Sequence, residues 1–319
     1  MGFRDVVGNQ RAVQIIRKEI ESGRVYPAYL FTGMEGIGKR LVALNMAKAL
    51  NCPDGEGDAC DRCPVCQRMD KGVHPDLLQI NPTGEVIKIG QIRELQRSIA
   101  FKPYEARWRV VIVDGAERMT RETANAFLKT LEEPPPSTTV ILVATAREGL
   151  PPTVLSRCQR ITFNPLSDEE VHKVLADQLT PEEIYVRAPL AGGSPGRALG
   201  MDGEEVTQAR DSLASALSPS LGRRLQLAQE LARQEGRGSM FLEILEGWLR
   251  DLIIYRETGD AGMLLNRDLA DEVKKGASQQ KTESLLRDFW SILQIQRGIE
   301  AHVNLQLSLE SALAGIGGL

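Results

Sequence analysis

The sequence predicts a parallel α/β domain followed by an all-helical region, and two observations lead to this prediction. In the first half of the 319 residues, short apolar runs of strand length alternate with helix-like patterns, as in proteins whose parallel strands are joined by helices. Beyond about residue 165 no further strand pattern is convincing, and apolar residues recur at helical spacing instead.

The apolar runs are the predicted strands of the sheet. They are Ala28–Phe31, Leu77–Ile80, Arg109–Asp114, Val140–Ala144 and Ile161–Phe163. Because helices lie between these runs, we expect helices on both faces of a parallel sheet. The helical patterns cover residues 41–50, 92–99 and 124–131, and Pro134–Pro136 end the last of them.

Three blocks are predicted along the chain: an α/β domain over residues 1–165, a small helical lid over 166–202, and a helical block over 203–319. Ser167, followed by three acidic residues, is typical of a helix N-terminus just after the first boundary. In the last block three amphipathic stretches are predicted. Their apolar stripes are Leu213, Leu217, Leu221, Leu225 and Leu227; Phe241, Ile244, Leu245, Trp248 and Leu252; and Leu285, Phe289, Ile292, Leu293 and Ile295.

Composition and charge exclude some classes of function. The formal net charge is −4, which opposes a chain that coats nucleic acid by itself, because such binding depends on many Lys and Arg contacts to phosphates. No apolar run approaches the roughly 18 residues that a membrane span requires. The first residues also lack the apolar core of a signal peptide. We therefore expect a cytoplasmic protein with no membrane partner.

A glycine-rich segment follows the first predicted strand and opens the first long helix. It contains Gly33, Gly36, Gly38 and Lys39 at the spacing of a phosphate-binding loop. Backbone N–H groups and the helix N-terminus form a cradle for phosphate, and Lys39 adds a positive charge. Arg40 stands where such loops carry the Ser or Thr that binds magnesium, so a normal magnesium–ATP site is not expected.

An acidic residue, Asp114, ends the third predicted strand. Taken alone, it is also consistent with an ordinary polar strand end. Active ATPases of this class place a glutamate directly after the aspartate, whereas this chain has Gly115 there. Glu117, three residues after Asp114, is expected to point elsewhere. The chain therefore lacks two groups independently: Arg40 replaces the metal-binding hydroxyl, and Gly115 replaces the glutamate. Both replacements argue against ATP hydrolysis at this site.

Four of the five cysteines form a cluster: Cys52, Cys60, Cys63 and Cys66. Seven residues separate the first two and two residues separate each later pair, and prolines and glycines nearby supply turns. Unrelated thiols or a redox pair are the alternatives, but four thiols at this density favour tetrahedral zinc. Because four protein ligands leave no open position for water, the zinc would be structural.

These motifs and several others resemble those of the AAA+ clamp-loader family. The further matches are Val6–Asn9, Asn125–Pro135, Ser156–Cys158 and Gly193–Ala198. The resemblance is close up to about Leu199, and beyond it only helical character and length agree. One departure is the first cysteine spacing, because the family usually has eight residues where this chain has seven.

The resemblance implies roles for individual residues. Val6 and Val7 would flank an adenine pocket. Thr145 would read the γ-phosphate, and Arg197 would be a second sensor on the lid. Arg157 would reach the nucleotide of the adjacent subunit as an arginine finger, although a surface or structural salt bridge is its alternative role.

The function implied by the resemblance is that of a clamp-loader subunit, which helps to load the sliding clamp onto primed DNA. Its partners would be gamma/tau and delta subunits in a hetero-pentamer, joined through the helical block as a collar. Arg40 and Gly115 favour a subunit with little or no ATP hydrolysis, and whether it binds ATP stays open. The alternatives are an ATP-hydrolysing gamma/tau-type motor and a stand-alone zinc-module DNA-binding protein. No polymerase chemistry is expected in this chain.

Overall fold

The computed structural model describes residues 1–217, 220–233, 236–300 and 303–315. The chain divides into two compact units, one comprising Met1–Asp177 with Gly193–Arg197 and the other Gln178–Gly192 with Ala198–Leu319. Each unit has a hydrophobic core of its own. The division into three blocks at residues 165 and 202 stays a prediction.

The first unit contains a parallel sheet, as predicted. Its strands are β1 (Ala28–Thr32), β2 (Leu77–Ile80), β3 (Arg109–Asp114), β4 (Thr138–Ala144) and β5 (Gln159–Thr162). Within the described residues their order across the sheet is β2–β3–β4–β1–β5, and every neighbouring pair is parallel. β5 begins two residues before the predicted run, because Gln159 and Arg160 also pair with β1. A strand at the edge of a sheet tolerates such polar residues. Because they break the apolar pattern, the start of β5 could not be predicted from the sequence.

Helices connect the strands of this unit. They are α1 (Gln10–Glu21), α2 (Lys39–Asn51), α3 (Pro64–Asp70), α4 (Ile89–Ile99), α5 (Arg121–Glu132), α6 (Pro152–Leu155) and α7 (Asp168–Leu175). The predicted N-terminus at Ser167 is confirmed, because its side chain accepts the Glu170 N–H while the Glu170 carboxylate accepts the Ser167 N–H. α5 likewise begins at a capping residue, Thr120.

The sheet brings its carboxyl-terminal ends to one edge of the unit. β3 and β4 are buried along almost their whole length, and Ile92 of α4 and Phe127 of α5 pack in the same core. Because all strands are parallel, the segments that follow them emerge at the same edge. The phosphate loop follows β1, Asp114 ends β3, and Thr145 follows β4. The fold therefore positions these three features side by side.

The second unit is helical, and among its described residues no strand occurs. Its helices are α8 (Pro181–Leu190), α9 (Pro195–Gly200), which begins in the segment assigned to the first unit, α10 (Gly203–Asp211), α11 (Leu213–Ala216), α12 (Leu221–Ala232), α13 (Arg237–Thr258), α14 (Ala270–Gln279), α15 (Thr282–Glu300) and α16 (Leu305–Gly315). The predicted class, a parallel-sheet α/β domain followed by an all-helical region, is confirmed. Within the described ranges, no helix is both long and apolar enough to cross a membrane.

Apolar stripes form the core of the helical unit. All five predicted stripe residues of α13 are buried, including Phe241 and Trp248. The prediction of a single stripe from Leu213 to Leu227 is wrong, because Leu221 is 49% exposed whereas Leu213 and Leu227 are buried. The stripe is divided between α11 and α12, so its members do not share one helical face.

Candidate nucleotide and metal sites

The phosphate loop connects β1 to α2 and contains Gly33, Gly36 and Gly38. Gly36 has a φ of +76°, and a Cβ there would lie 2.4 Å from the Ser194 Oγ, so only glycine fits without rearrangement. The Ser194 hydroxyl donates to the Glu35 carbonyl at 2.6 Å, and the Gly196 N–H donates to the Gly36 carbonyl at 2.9 Å. The loop is therefore held by the segment that contains the predicted second sensor.

Lys39 is the first residue of α2 and is only 6% exposed. Its ammonium donates to the carbonyl oxygens of Gly33 at 2.5 Å and Met34 at 2.7 Å. Burial lowers the pKa of Lys39, and Glu117 with two other nearby carboxylates only partly offsets this effect. The Lys39 ammonium is thus hydrogen-bonded to backbone carbonyl dipoles, and among the described residues it forms no ion pair with a carboxylate.

The position of the magnesium ligand does not fit a metal ion. Arg40 Nε lies 3.9 Å from Oδ2 of Asp114, and Arg40 Nη2 donates to Oε1 of Gln79 at 2.8 Å. A guanidinium has no lone pair to offer a metal and does not lose its proton in proteins. Asp114, the acid that would assist magnesium, therefore already faces a fixed positive charge.

The expectation that Glu117 points away from the site is wrong. Its Oε1 accepts hydrogen bonds from the Thr145 hydroxyl at 2.8 Å and the Thr145 N–H at 3.3 Å. Gly115, with a φ of +66°, starts a 3-10 turn over Ala116–Arg118 that returns the chain to the edge of the sheet. Glu117 Oε2 is buried and has no hydrogen-bond partner among the described residues. Sequence reasoning missed this residue because a short turn, and not the strand, positions it.

The predicted adenine-flanking residues precede α1. Val6 is buried and Val7 is half-buried. Asn9 fixes this segment, because its Nδ2 donates to the Asn164 carbonyl at 3.0 Å and its Oδ1 accepts the Asn164 N–H at 2.7 Å. Arg197 is exposed, and its backbone N–H donates to the Ser194 hydroxyl at 3.2 Å. The roles of Val6, Val7 and Arg197 stay predictions.

The predicted cysteine ligands converge. The sulfur atoms of Cys52, Cys60, Cys63 and Cys66 all lie within 4.8 Å of one another. Backbone N–H groups of the last three donate to the sulfurs of the preceding cysteines at 3.3 to 3.4 Å. Such contacts orient thiolates toward a common centre. The arrangement fits the tetrahedral donor set of a zinc ion.

The thiols of the cluster differ in acidity when no metal is bound. Burial raises the pKa of Cys66. Burial also acts to raise the pKa of Cys60. Hydrogen bonds from the backbone N–H groups of Arg62 and Cys63 stabilise its thiolate more strongly, so the pKa of Cys60 is lowered to about 7. His74 does not join the cluster, because its Nδ1 accepts the Asp76 N–H at 3.1 Å.

A buried ion-pair network anchors the cysteine-bearing segment to α2, and sequence reasoning did not find it. The Lys48 side chain is fully buried, and its ammonium lies 2.7 Å from Oδ1 of Asp61 and 2.8 Å from Oδ1 of Asp70. Burial alone would lower the pKa of Lys48, but hydrogen bonds to these two carboxylates outweigh it and raise the pKa. Asp61 also binds the Met1 amine at 3.2 Å.

Arg157 lies between α6 and β5, apart from the phosphate loop in sequence. Its Nε donates to Oε1 of Glu132 at 2.5 Å, and its Nη1 donates to the Thr153 carbonyl at 2.8 Å. Glu132 is the last residue of α5 and is exposed. Arg157 thus has the partner that a surface salt bridge requires, and its role toward an adjacent subunit stays a prediction.

Two family descriptions match the chain. "DNA polymerase III, delta subunit" matches residues 8–167, and "DNA polymerase III, delta subunit, C terminal" matches residues 204–317. The DNA polymerase III subunit delta' of Bacillus subtilis is 29% identical over 94% of this chain and 93% of its own length. The two family matches fall on the α/β region and on the helical region.

Other relatives match mainly the first part of the chain. The DNA polymerase III subunit gamma of Buchnera aphidicola is 35% identical, over 57% of this chain and 50% of its own length. The DNA polymerase III subunit tau of Escherichia coli is 31% identical, over 75% of this chain and 39% of its own length. A solved gamma subunit-related protein from Thermotoga maritima is 19% identical with a TM-score of 0.46. This chain therefore spans half or less of the length of these two gamma and tau relatives.

Proposed function

Because this chain belongs to the DNA polymerase III delta-subunit family, we propose that it acts as the delta-prime-type subunit of a clamp loader. In this role it helps to load a sliding clamp onto primed DNA as part of the polymerase III holoenzyme. Its contribution is structural and regulatory toward the other subunits, and the chain itself carries out no polymerase chemistry.

One observation carries the proposal that this subunit does not hydrolyse ATP: the Arg40 guanidinium faces Asp114. Phosphoryl transfer depends on a positioned magnesium ion and on an acid that orients the attacking water. Arg40 replaces the metal-binding hydroxyl, and Gly115 replaces the neighbouring acid. Nucleotide binding is compatible with these changes, since the backbone cradle and Lys39 remain.

Arg157 is proposed to act on the nucleotide of the neighbouring subunit. Its side chain is 30% exposed, and the guanidinium pairs with the exposed Glu132. An exposed ion pair contributes only about 0–1 kcal/mol, so exchange of Glu132 for a phosphate has a small energetic cost. Arginine suits this role because it stays charged and offers a planar set of donors to phosphate oxygens.

The cysteine cluster is proposed to hold one structural zinc ion through Cys52, Cys60, Cys63 and Cys66. The converging sulfurs support this, and so does the small size of the apolar cluster around them, to which Ala59 and Val65 add little area. A segment of this size cannot order itself by hydrophobic burial alone. Metal binding would supply the missing folding free energy.

The partners are proposed to be gamma/tau and delta subunits in a hetero-pentamer, joined through the helical region as a collar. Co-purification of the chain with its partners, followed by mass identification, tests this. We expect gamma/tau and delta subunits in one complex. Recovery of the chain alone, or its tight binding to primed DNA as a monomer at physiological salt, would instead favour a stand-alone DNA-binding protein.

A second candidate is an ATP-hydrolysing subunit of the gamma/tau type. The observation in its favour is Glu117, a carboxylate on the sensor residue Thr145 that lies near Lys39. ATP turnover by the isolated chain separates the two candidates. Turnover that Lys39→Ala abolishes would establish the motor, and its absence supports the non-hydrolysing subunit.

The arginine-finger proposal is tested with Arg157→Ala in the reassembled complex, and Arg160→Ala is a matched control. Arg160 is an exposed arginine three residues away whose guanidinium donates to the Leu155 carbonyl and, among the described residues, to no carboxylate. We expect Arg157→Ala to assemble and melt normally but to reduce turnover at one site by about 10³- to 10⁵-fold. Arg160→Ala should match wild type. Full ATP turnover and clamp loading by the Arg157→Ala complex would refute the assignment.

A further inference from the structure

The phosphate site contains a positive charge where related sites hold a metal ion. In phosphate-loop proteins a hydroxyl after the lysine and an acid at a strand end hold magnesium. In this chain the hydroxyl position is Arg40, and its Nε lies 3.9 Å from Oδ2 of Asp114. A magnesium ion next to this acid would also be next to a guanidinium, and like charges repel at this range.

A second contact fixes the guanidinium from another strand. Arg40 Nη2 donates to Oε1 of Gln79 at 2.8 Å, and Gln79 belongs to β2, which pairs with β3. The two contacts hold Arg40 across the end of the sheet. Its side chain remains 56% exposed, so a ligand in the loop can still reach it. Guanidinium offers five N–H donors and is therefore able to bind phosphate oxygens while it keeps these contacts.

A carboxylate occupies the donors of Thr145, the residue proposed to read a γ-phosphate. The Thr145 hydroxyl and N–H both donate to Oε1 of Glu117. A phosphate at Thr145 would have to displace this carboxylate and remain close to its negative charge, which is unfavourable. The cradle formed by the loop N–H groups and Lys39 lies at the start of α2 and does not depend on Thr145.

We propose that this site binds the two phosphates of a nucleoside diphosphate without magnesium, with Arg40 standing where the metal would be. The inference deepens the proposed function and rests on its use of residues 33–39 as a nucleotide cradle. A diphosphate suits the site better than a triphosphate because it carries less negative charge and needs no contact with Thr145, whose donors Glu117 already occupies. Arg40 and Lys39 then neutralise the charge that magnesium neutralises elsewhere.

Titration calorimetry with ADP and with ATP, each in magnesium chloride or in EDTA, tests this on the full chain. For wild type we expect the ADP affinity to change less than about twofold between the two buffers, and ADP to bind more tightly than ATP. Arg40→Thr restores a metal-binding hydroxyl. Its ADP affinity should be about tenfold or more higher in magnesium chloride than in EDTA. Arg24→Thr, an exposed arginine outside the site, should behave like wild type.

Glu117→Gln tests the preference for the diphosphate, because it removes the negative charge next to Thr145. The difference between the ADP affinity and the ATP affinity should become smaller in this variant. The melting temperature of each variant shows whether it folds, and the wild-type titrations decide the proposal even if a variant does not. An ADP affinity that magnesium raises about tenfold in wild type would overturn it, as would tighter binding of ATP than of ADP. If neither nucleotide binds, this inference is wrong, whereas loss of assembly with gamma/tau and delta subunits would refute the proposed function itself.

Discussion

The two ends of α2 carry the two candidate sites, and they hold their lysines in opposite ways. At the start of the helix, Lys39 is bound by two backbone carbonyls of the phosphate loop. Toward the end, Lys48 is bound by the carboxylates of Asp61 and Asp70. Both side chains are buried, yet the pKa of Lys39 is lowered and that of Lys48 is raised. The partners decide the direction, since full charges offset the cost of burial and dipoles do not.

The contrast separates a ligand site from a structural anchor. An ammonium that only dipoles hold can turn to a phosphate and gain a partner of opposite charge. An ammonium between two carboxylates would leave both of them unpaired if it moved. The start of α2 is therefore suited to binding, whereas its end joins the cysteine-bearing segment to the fold.

Of the changes that test this contrast, removal of the zinc ion should have the largest effect on stability. We expect one zinc per chain, and we expect Cys66→Ser to lose it and to disorder residues 52–66. In small zinc domains metal binding supplies on the order of 10 kcal/mol at neutral pH, so the melting temperature should fall sharply. The nucleotide affinity of the loop should change much less. Elemental analysis, thermal unfolding and limited proteolysis measure these effects.

Cys158→Ser is the matched control, because this cysteine lies outside the cluster. It should retain the full zinc content. A wild-type chain purified under reducing conditions without chelators that contains almost no zinc would contradict the assignment of a metal site at the end of α2.

Replacement of the two lysines by methionine should have the next largest effect. Lys48→Met leaves Asp61 and Asp70 without their buried partner, so we expect a loss of about 3 kcal/mol in the free energy of unfolding. Lys39→Met removes an ammonium that burial already disfavours, so the change should be below about 1 kcal/mol, while nucleotide binding is lost. Urea unfolding measures both. Equal destabilisation by the two variants would show that the ends of α2 do not differ in this way.

The pH dependence of these variants should give the smallest effect. The pKa of Lys48 is raised above its ordinary 10.5, so its stabilisation is complete below pH 10.5 and is lost as the pH rises through the raised value. The pKa of Lys39 is lowered, so between that value and 10.5 the unfolded chain binds more protons and the folded chain gains stability as the pH rises.

The measurement is the free energy of unfolding of wild type, Lys48→Met and Lys39→Met at a series of alkaline pH values. The advantage of wild type over Lys48→Met should begin to shrink above pH 10.5. Relative to Lys39→Met, wild type should gain stability as the pH approaches 10.5 from below. If the stability of wild type relative to both variants changed in the same direction as the pH rises, the two lysines would not have opposite environments.

Short-range patterns were sufficient to predict both candidate sites in outline. The phosphate loop lies between a strand and a helix, and the four cysteines lie within one short segment, so spacing alone predicted that their members would meet. The strand β5 and the start of α12 were predicted less well. In β5 polar residues pair at a sheet edge, and at Leu221 a new helix begins where the pattern indicated a continuous stripe.

The sequence by itself determined the parallel sheet, the helical second part, the convergence of the cysteines and the loss of the magnesium-binding hydroxyl at Arg40. Only the tertiary structure decided what the charged side chains do. Glu117 meets Thr145 across 28 residues, and Arg40 meets Gln79 across 39, through turns and strand neighbours that no local period encodes. Apolar periodicity records which face of an element is buried, and it carries no information about which charges the packing brings together.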